Sequence, residues 1–199
     1  MIIQQDQFHE HNMSKLIKGA VVPRPIAWVS SISSKGDQNL APFSFFTVAS
    51  MNPITLCFSV GAEGRTKDTL VNIRETGQFV VNIVSESLAN QMYESSKAYD
   101  YQEDEFKKTG LKAAESKRVQ PPRVSEAPVN IECELDQIIE IGTNHLILGK
   151  VVCYHIQEDV YMERDKVDPF KLAPVGRMAG DYTYIKEFYN LPTTDKDNS

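Results

Sequence analysis

The stretch "NLAPFSFFTVASMNPITLCFSVG", residues 39–61, decides the fold class. It is rich in β-branched and aromatic residues, which favour strands over helices. Pro42 and Pro53 interrupt it, and a proline breaks both the interior of a helix and the hydrogen-bond ladder of a central strand. We therefore predict two strands here, joined by an irregular crossing.

Four more segments read as strands. "AVVPRPIAWVSSIS", residues 20–33, ends in a hairpin turn at Gly36, and "QFVVNIVS", residues 78–85, is a strand by composition. "PVNIECELDQIIEIG", residues 128–142, alternates apolar and polar side chains, which predicts one buried and one wet face. "HLILGKVVCYHI", residues 145–156, is apolar on both faces, which indicates an interior strand or one covered by a partner subunit.

Helical patterns are few and short. Thr66 is placed to cap a helix that ends at Gly77, and residues 86–96 form a second helix with apolar residues on one face. Residues 97–127 turn polar, which predicts a long excursion over the surface with a short helix near Asp104.

The fold class follows from the sum of these elements. About six strands in meander-like succession, with no βαβ alternation and no GxGxxG motif, predict a mainly β antiparallel barrel rather than a dinucleotide-binding fold. We expect a single domain over residues 1–199, with its core at about 17–184, the polar excursion at about 97–127 and a C-terminal tail at 185–199.

Composition limits the possible partners. The net charge of -6 argues against a general nucleic-acid binder, because such binding depends on neutralising phosphates. No apolar run is long enough to cross a bilayer, and the N-terminus lacks the pattern of a secretory signal. Cys57, Cys133 and Cys153 have no metal-like spacing, so we expect free thiols in a reducing cytoplasm.

One charge cluster is a candidate anion site. "RTKDTLVNIRETG", residues 65–77, places Arg65, Thr66 and Lys67 at the start of a predicted helix. The first turn of a helix offers unpaired N–H groups and a partial positive charge, which together suit a phosphate. The alternative is that Thr66 only caps the helix and the two cations face water; Asp68 fits either reading, because an acid also suits the helix dipole.

The irregular part of residues 39–61 is a candidate ring site. Ser44, Thr47 and Ser50 recur at three-residue intervals, and the phenylalanines at 43, 45 and 46 supply apolar walls. A segment kept out of regular ladders leaves backbone groups free to meet a flat heteroaromatic ring. The alternative is a hairpin whose phenylalanines are core and whose hydroxyls bond the local backbone.

Three further residues are candidate contacts. Arg24, held between two prolines, suits a carbonyl edge or a carboxylate, or else is a surface arginine beside an edge strand. His145, at the mouth of an apolar strand, is a proton donor, a ligand contact or a structural residue. Arg177, in "VGRMAGDY", reaches over a site or belongs to a turn. We predict no metal site, because His9, His11 and His155 show no metal-ligand spacing.

The order of several blocks resembles a known family. "PRPIAWVSS", "NLAPFSFFTVAS", "KDTLVNIRETGQFVVNIV", "PVNIECELDQIIEIG" and "GRMAGDYT" follow one another at the spacing of the flavin-reductase-like proteins with the FMN-binding split-barrel fold, in the branch that includes flavoredoxin. The resemblance covers about Ile17 to Tyr184. It implies a six-stranded Greek-key barrel, a homodimer, and FMN held non-covalently near the dimer interface.

The resemblance also implies site residues. Flavin contacts would be Arg24, Pro42, Phe43, Ser44, Phe45, Phe46, Thr47, Val48, Ala49, Ser50 and Ser59, and phosphate contacts would be Arg65, Thr66, Lys67 and Asp68. His145 would lie on the nicotinamide side. Arg177 and Tyr182 match a tail that contacts substrate or the partner subunit, although Met178 and Ala179 stand where "LGG" is usual.

The implied function is an FMN-dependent oxidoreductase in which NADH or NADPH passes a hydride to flavin N5. Two alternatives remain open: a flavoredoxin-like electron carrier serving a redox protein partner, and a non-catalytic barrel that binds flavin or haem. No catalytic carboxylate or nucleophile is evident. The sequence does not identify the final electron acceptor, the preferred nicotinamide nucleotide, or whether flavin is released.

Overall fold

The computed structural model describes residues 1–61, 66–97, 99 and 103–189 of the chain. Short 3-10 helices at Gln5–Glu10 and Glu86–Leu88 accompany the α-helices α1 Met13–Ala20, α2 Asp68–Thr76, α3 Ala89–Glu94, α4 Glu105–Thr109 and α5 Pro169–Leu172. The strands are β1 Ala27–Ile32, β2 Gln38–Phe43, β3 Phe46–Met51, β4 Ile54–Gly61, β5 Gln78–Ile83, β6 Ala113–Ala114, β7 Arg123–Val124, β8 Val129–Ile141, β9 Asn144–Ile156, β10 Tyr161–Met162, β11 Lys166–Val167, β12 Val175–Arg177 and β13 Tyr182–Tyr184.

One large antiparallel sheet confirms the predicted fold class. Its strand order is β2-β1-β5-β8-β9-β4-β3, and it has seven strands rather than the expected six. The difference lies in residues 39–61, which form three strands where two were predicted. The chain leaves β2 one residue after Pro42, which is itself paired with Trp28, and it turns at Pro53 between Met51 and Ile54.

The sheet curls so that its two edges meet at one corner. β2 and β3 lie at opposite edges of the sheet, yet only Ser44 and Phe45 separate them along the chain. The Ser59 N–H donates to the Phe45 carbonyl at 2.8 Å, and the rings of Phe43 and Phe58 lie 5.2 Å apart across the barrel. The barrel is therefore split at this corner, and the split leaves a groove.

β1 is buried on both faces, although it lies second from one edge of the sheet. Ala27 and Val29 point into the barrel with residues of β4, β5, β9 and α2, whereas Ile26 and Trp28 pack under α3 and α4. Trp28 is fully buried, and its indole N–H donates to the Ser95 hydroxyl at 2.9 Å. Two apolar clusters thus share one strand.

The excursion at 97–127 is not only a surface segment, and this part of the prediction was wrong. The expected short helix near Asp104 is α4, with Asp104 as its N-cap, but Phe106, Leu111 and Val124 are buried against the outer face of β1 and its neighbours. The buried amide of Asn82 accepts the Val124 N–H at 2.9 Å and so bonds the excursion to the sheet. These few buried apolar residues were not recognised because most of the segment is polar.

The covering excursion also corrects the predicted wet face of β8. Asn130 and Glu132 are buried, while Glu134 and Asp136 remain exposed as predicted. The Glu132 carboxylate accepts backbone N–H groups from residues 117–119, so its charge is compensated by the excursion itself. A buried carboxylate is tolerated only with partners of this kind.

One helix end and two elements differ from the predictions. The N-cap of α2 is Lys67 rather than Thr66, while Gly77 ends the helix in the left-handed conformation, as predicted. The tail forms the hairpin β12–β13, and α1 was not predicted. None of the described helices is both long and apolar enough to cross a bilayer.

Candidate functional site

A cleft of about 660 Å³ opens at the split corner of the barrel. It is lined by Ser14, Ile17, Lys18, Arg24, Pro42, Phe43, Ser44, Phe45, Ser59, Gly61, Lys67, Asn144, Arg177 and Ala179. Eight of these residues were predicted from the sequence as cofactor or substrate contacts. Segments far apart in the chain therefore meet at one cleft.

The cleft is strongly cationic in an acidic protein. Lys18, Arg24, Lys67 and Arg177 line it, and no aspartate or glutamate is among its described lining residues, although the chain carries a net charge of -6. A cleft focuses the field of the charges that line it. This arrangement suits an anionic ligand.

Arg24 lines the cleft and also joins its walls. Its guanidinium donates to the carbonyls of Lys18 at 2.8 Å and Val21 at 2.6 Å, at the end of α1. It also donates to the Met178 carbonyl at 2.8 Å, in the C-terminal hairpin. Only 7% of the residue is exposed. Arg24 therefore joins two walls of the cleft. Because its guanidinium is mostly covered and bonded to carbonyls, little of it remains for the predicted flavin contact.

The predicted phosphate segment is only partly described. Arg65 lies outside the described residues, Thr66 and Lys67 are exposed, and Lys67 lines the cleft as the N-cap of α2. Asp68 follows as the first residue of the helix and does not line the cleft. Of the described residues of this segment, Lys67 alone lines the cleft, at the N-terminus of α2.

The predicted ring segment divides into two parts. Pro42, Phe43, Ser44 and Phe45 line the cleft, whereas Phe46, Thr47, Val48, Ala49 and Ser50 continue along the edge strand β3 away from it. Thr47, Val48 and Ala49 are exposed, and Ser50 accepts the Asn52 N–H at 3.1 Å. The structure therefore does not bring the second part to the cleft of its own chain.

His145 lies beside the cleft without lining it. Its Nε2 is 3.6 Å from a Glu140 oxygen, and its buried Nδ1 has no partner among the described residues. The preceding Asn144 does line the cleft and donates to the Ser59 hydroxyl at 3.0 Å. The hairpin between β8 and β9 thus contributes the Asn144 amide to the cleft, whereas the His145 imidazole does not line it.

Several lining residues were missed by the sequence reasoning. Ser14, Ile17 and Lys18 come from α1, and Gly61, Asn144 and Ala179 come from loops or strand ends. A signal for α1 was present, because the Asn12 side chain accepts the Lys15 N–H at 3.0 Å as an N-cap. The loop residues carry no pattern that separates them from ordinary turns.

A smaller cleft of about 270 Å³ adjoins the first. Its lining residues are Ile26, Pro42, Ser44, Tyr93, Ser96, Arg177 and Tyr182. Pro42, Ser44 and Arg177 line both clefts. Tyr182, a predicted contact, therefore belongs to the second cleft and is next to the first.

Three potential metal ligands also lie together away from both clefts. Glu132 Oε1 is 2.5 Å from His155 Nε2, and Cys153 Sγ is 3.4 Å from the same nitrogen. Burial alone would raise the pKa of Glu132, but the N–H groups of residues 117–118 and the imidazole outweigh it and hold that pKa below its ordinary value. A hydrogen bond already occupies the position between carboxylate and imidazole, so we interpret the group as structural.

Sequence comparison supplies the family. A sequence model described as "Flavin reductase like domain" matches residues 19–172. The chain belongs to this family. The matched range contains all seven strands of the large sheet.

Solved structures agree with this family. Nitrilotriacetate monooxygenase component B from Bacillus cereus is 33% identical, with a TM-score of 0.91 over 96% of this chain and 98% of its own. The 2-nitrobenzoate 2-nitroreductase NbaA of Pseudomonas fluorescens is 31% identical, with a TM-score of 0.86 over 98% and 97%. Flavoredoxin of Desulfovibrio vulgaris (Miyazaki F), 20% identical, has a TM-score of 0.79 over 88% and 94%, which supports the fold alone. The chain therefore has the split-barrel fold.

Proposed function

We propose that the protein is an FMN-binding oxidoreductase of the flavin reductase type, with NADH or NADPH as the electron donor. FMN supplies the hydride chemistry at its N5 atom, so the protein needs no nucleophile or general base of its own. The cytoplasm, where its three free thiols stay reduced, is the compartment we propose for it. The large cleft at the split corner is the flavin site in this proposal.

The observation that carries the proposal is the composition of that cleft. Its charged lining residues are all cations among those the structure describes, and Phe43 and Phe45 add flat apolar surface. FMN combines a phosphate dianion with a flat ring, so both features have a counterpart in the ligand. A neutral or cationic ligand would leave the cations uncompensated.

Each wall of the cleft has a role in this proposal. Lys67 and the first turn of α2 hold the phosphate, because a cation and unpaired N–H groups act on it together. The hydroxyls of Ser44 and Ser59 bond the polar edges of the ring system. Arg24 positions α1 and the C-terminal hairpin around the ligand. The remaining apolar walls exclude water from the ring.

We propose a homodimer as the active form. Val48, Met51 and Ile54 on the β3–β4 edge are 54%, 72% and 47% exposed, which is unusual for side chains of this kind on one edge of a sheet. A second copy that covers this edge would bury them. It would also place the exposed part of the predicted ring segment, Thr47 to Ser50, near a flavin at the interface.

A second candidate function is transfer of electrons to a protein partner. One similar structure is named as a component of a monooxygenase. The protein also shares its fold with a flavoredoxin. In that case FMN stays bound and a redox protein takes the electrons. The same cleft serves both candidates, so the difference lies in what happens after reduction.

Steady-state oxidation of NADH and NADPH, with and without added FMN, tests the proposal. A flavin reductase oxidises one of the nucleotides several-fold faster when free FMN is added. A carrier keeps its FMN, reacts slowly with both nucleotides and is reduced rapidly by a redox protein. Bound flavin with no turnover under either condition would contradict the proposed activity and leave a binding barrel.

A further inference from the structure

The smaller cleft of about 270 Å³ holds a cation that has no anionic partner among the described residues. The Arg177 guanidinium makes no ion pair and no side-chain hydrogen bond within the part of the chain that the structure describes. Ser44, which lines the same cleft, likewise has a hydroxyl without a described partner. Two polar groups that could bind a ligand are thus presented side by side.

The guanidinium is fixed in place before any ligand binds. Its carbon lies 4.4 Å from the centre of the Tyr182 ring, so one face of the group is stacked on an aromatic surface. Stacking leaves the N–H edge of the planar group open, and that edge matches the two oxygens of a carboxylate. A group held in advance loses less freedom when it binds.

The backbone of Arg177 is also fixed. Its N–H donates to the Arg24 carbonyl at 2.8 Å, and its own carbonyl accepts the Arg24 N–H at 2.9 Å. A Cβ at Gly176 would lie 2.9 Å from the Pro23 side chain, so the hairpin sits tightly against this segment. The position of Arg177 is therefore set by the barrel and not by the ligand.

The walls of the smaller cleft are aromatic. Tyr93 and Tyr182 meet edge to face, with ring centres 6.4 Å apart, and Ile26 and Pro42 complete the lining. Flat apolar walls beside one cation select a ligand that is flat, apolar in its body and anionic at one end. A cleft of this volume takes a single ring and not a dinucleotide.

We propose that the smaller cleft binds a small planar aromatic carboxylate, with its carboxylate on Arg177 and its ring against the two tyrosines. The position next to the flavin rests on the proposed function, since Pro42, Ser44 and Arg177 also line the flavin cleft. The carboxylate-binding site itself rests only on the residues of the smaller cleft. It would hold an aromatic acid in contact with the flavin compartment.

Calorimetric titration with benzoate and with its neutral isostere benzamide, at saturating FMN and again without FMN, tests this site. The protein should bind benzoate about tenfold more tightly than benzamide, because a charged pair on Arg177 is lost with the amide. Arg177→Gln should remove that preference. Tyr93→Leu, which changes only the smaller cleft, should weaken both ligands by a similar factor.

The outcomes separate this inference from the proposed function. Arg74→Gln, which removes an exposed arginine elsewhere, should leave the benzoate preference unchanged. Equal binding of benzoate and benzamide in a protein that binds FMN, or an unchanged preference in Arg177→Gln, would overturn the inference and leave the flavin site standing. Arg177-dependent binding of ADP-ribose without benzoate binding would assign the arginine to a dinucleotide and also overturn it. A benzoate preference in a protein that binds no FMN would support the smaller cleft and contradict the flavin proposal.

Discussion

Lys67 carries the charge that the proposed phosphate site needs, because it lines the cleft at the first turn of α2. We expect Lys67→Ala combined with Arg65→Ala to weaken FMN binding by at least about tenfold and riboflavin binding much less, since riboflavin has no phosphate. Fluorescence titration of both flavins measures the two affinities. Lys107→Ala, at an exposed lysine of α4, is the matched control. Equal losses for both flavins would put the phosphate elsewhere.

Glu105 makes stability depend on pH. Burial raises its pKa from 4.5 to about 7; Asp68 and Asp104 add to the rise, and the Leu40 N–H opposes it. The folded protein then binds the proton more tightly than the unfolded chain, so the free energy of unfolding falls as pH rises from about 4.5 to about 7. The loss is on the order of 2–3 kcal/mol.

Glu105→Gln should remove this loss, because the amide stays neutral and its oxygen can still accept the Leu40 N–H. Urea unfolding at pH 5 and pH 8 should show the variant more stable than the parent at pH 8, by up to about 2 kcal/mol, with little difference at pH 5. Glu158→Gln, at an exposed site, should change neither value. A variant with the parent's slope between these pH values would show that Glu105 ionises normally.

At the scale of elements, Arg24 joins α1 to the C-terminal hairpin. Arg24→Gln loses most of three charge-assisted hydrogen bonds to carbonyls, so we expect unfolding to become easier by at least about 2 kcal/mol. Hydrogen exchange should accelerate in Met13–Ala20 and Val175–Arg177 before it does in β1. Arg74→Gln serves as the exposed control, and unchanged exchange in both segments would mean that other contacts hold them.

The packing of β9 on β5 depends on one glycine. A Cβ at Gly149 would lie 2.2 Å from the Phe79 ring and 3.1 Å from the Cys133 Cβ, both in the barrel core. Gly149→Ala should therefore destabilise the protein by about 1–3 kcal/mol. Gly19→Ala, in α1 with open space around it, should be neutral or stabilising by up to about 1 kcal/mol. Thermal unfolding compares the two, and equal melting temperatures would show that the core yields at Gly149.

Local patterns predicted the elements that depend on local chemistry. The hairpin after β1 and the end of α2 at Gly77 follow from turn and capping residues, which act over a few positions. The burial of Glu132 could not be predicted in this way, because its partners are N–H groups from residues 117–119, brought there by the tertiary fold. An alternating strand cannot show that a distant segment covers its polar face.

The candidate site followed a similar division. Blocks with unusual composition, such as Pro42 to Phe45 and the start of α2, were found from the sequence and line the cleft. Arg24 was found, but its three carbonyl partners come from two distant segments, so its positioning role was invisible in the sequence. Ala179 lies in the loop between β12 and β13, which carries no chemical signature, whereas Ser14 belongs to α1, whose sequence signal is the N-cap Asn12.

At the scale of the whole molecule, the barrel curls until its two edge strands meet, and the charges of the chain are distributed so that cations line the resulting cleft. An acidic protein with a cationic cleft concentrates small anions there and repels them elsewhere. The curl of the barrel therefore creates the cleft, and an anionic ligand in the cleft would explain why cations line it. Binding of FMN in this cleft is the central claim.

A visible absorption spectrum tests that claim most directly. The protein is mixed with FMN, separated from free flavin on a desalting column, and then treated with NADH or NADPH without oxygen. The account predicts a yellow protein whose flavin bands bleach with one of the nucleotides. It also predicts that the Lys67→Ala, Arg65→Ala protein leaves the column with much less colour. A protein that stays colourless after exposure to FMN would contradict the account.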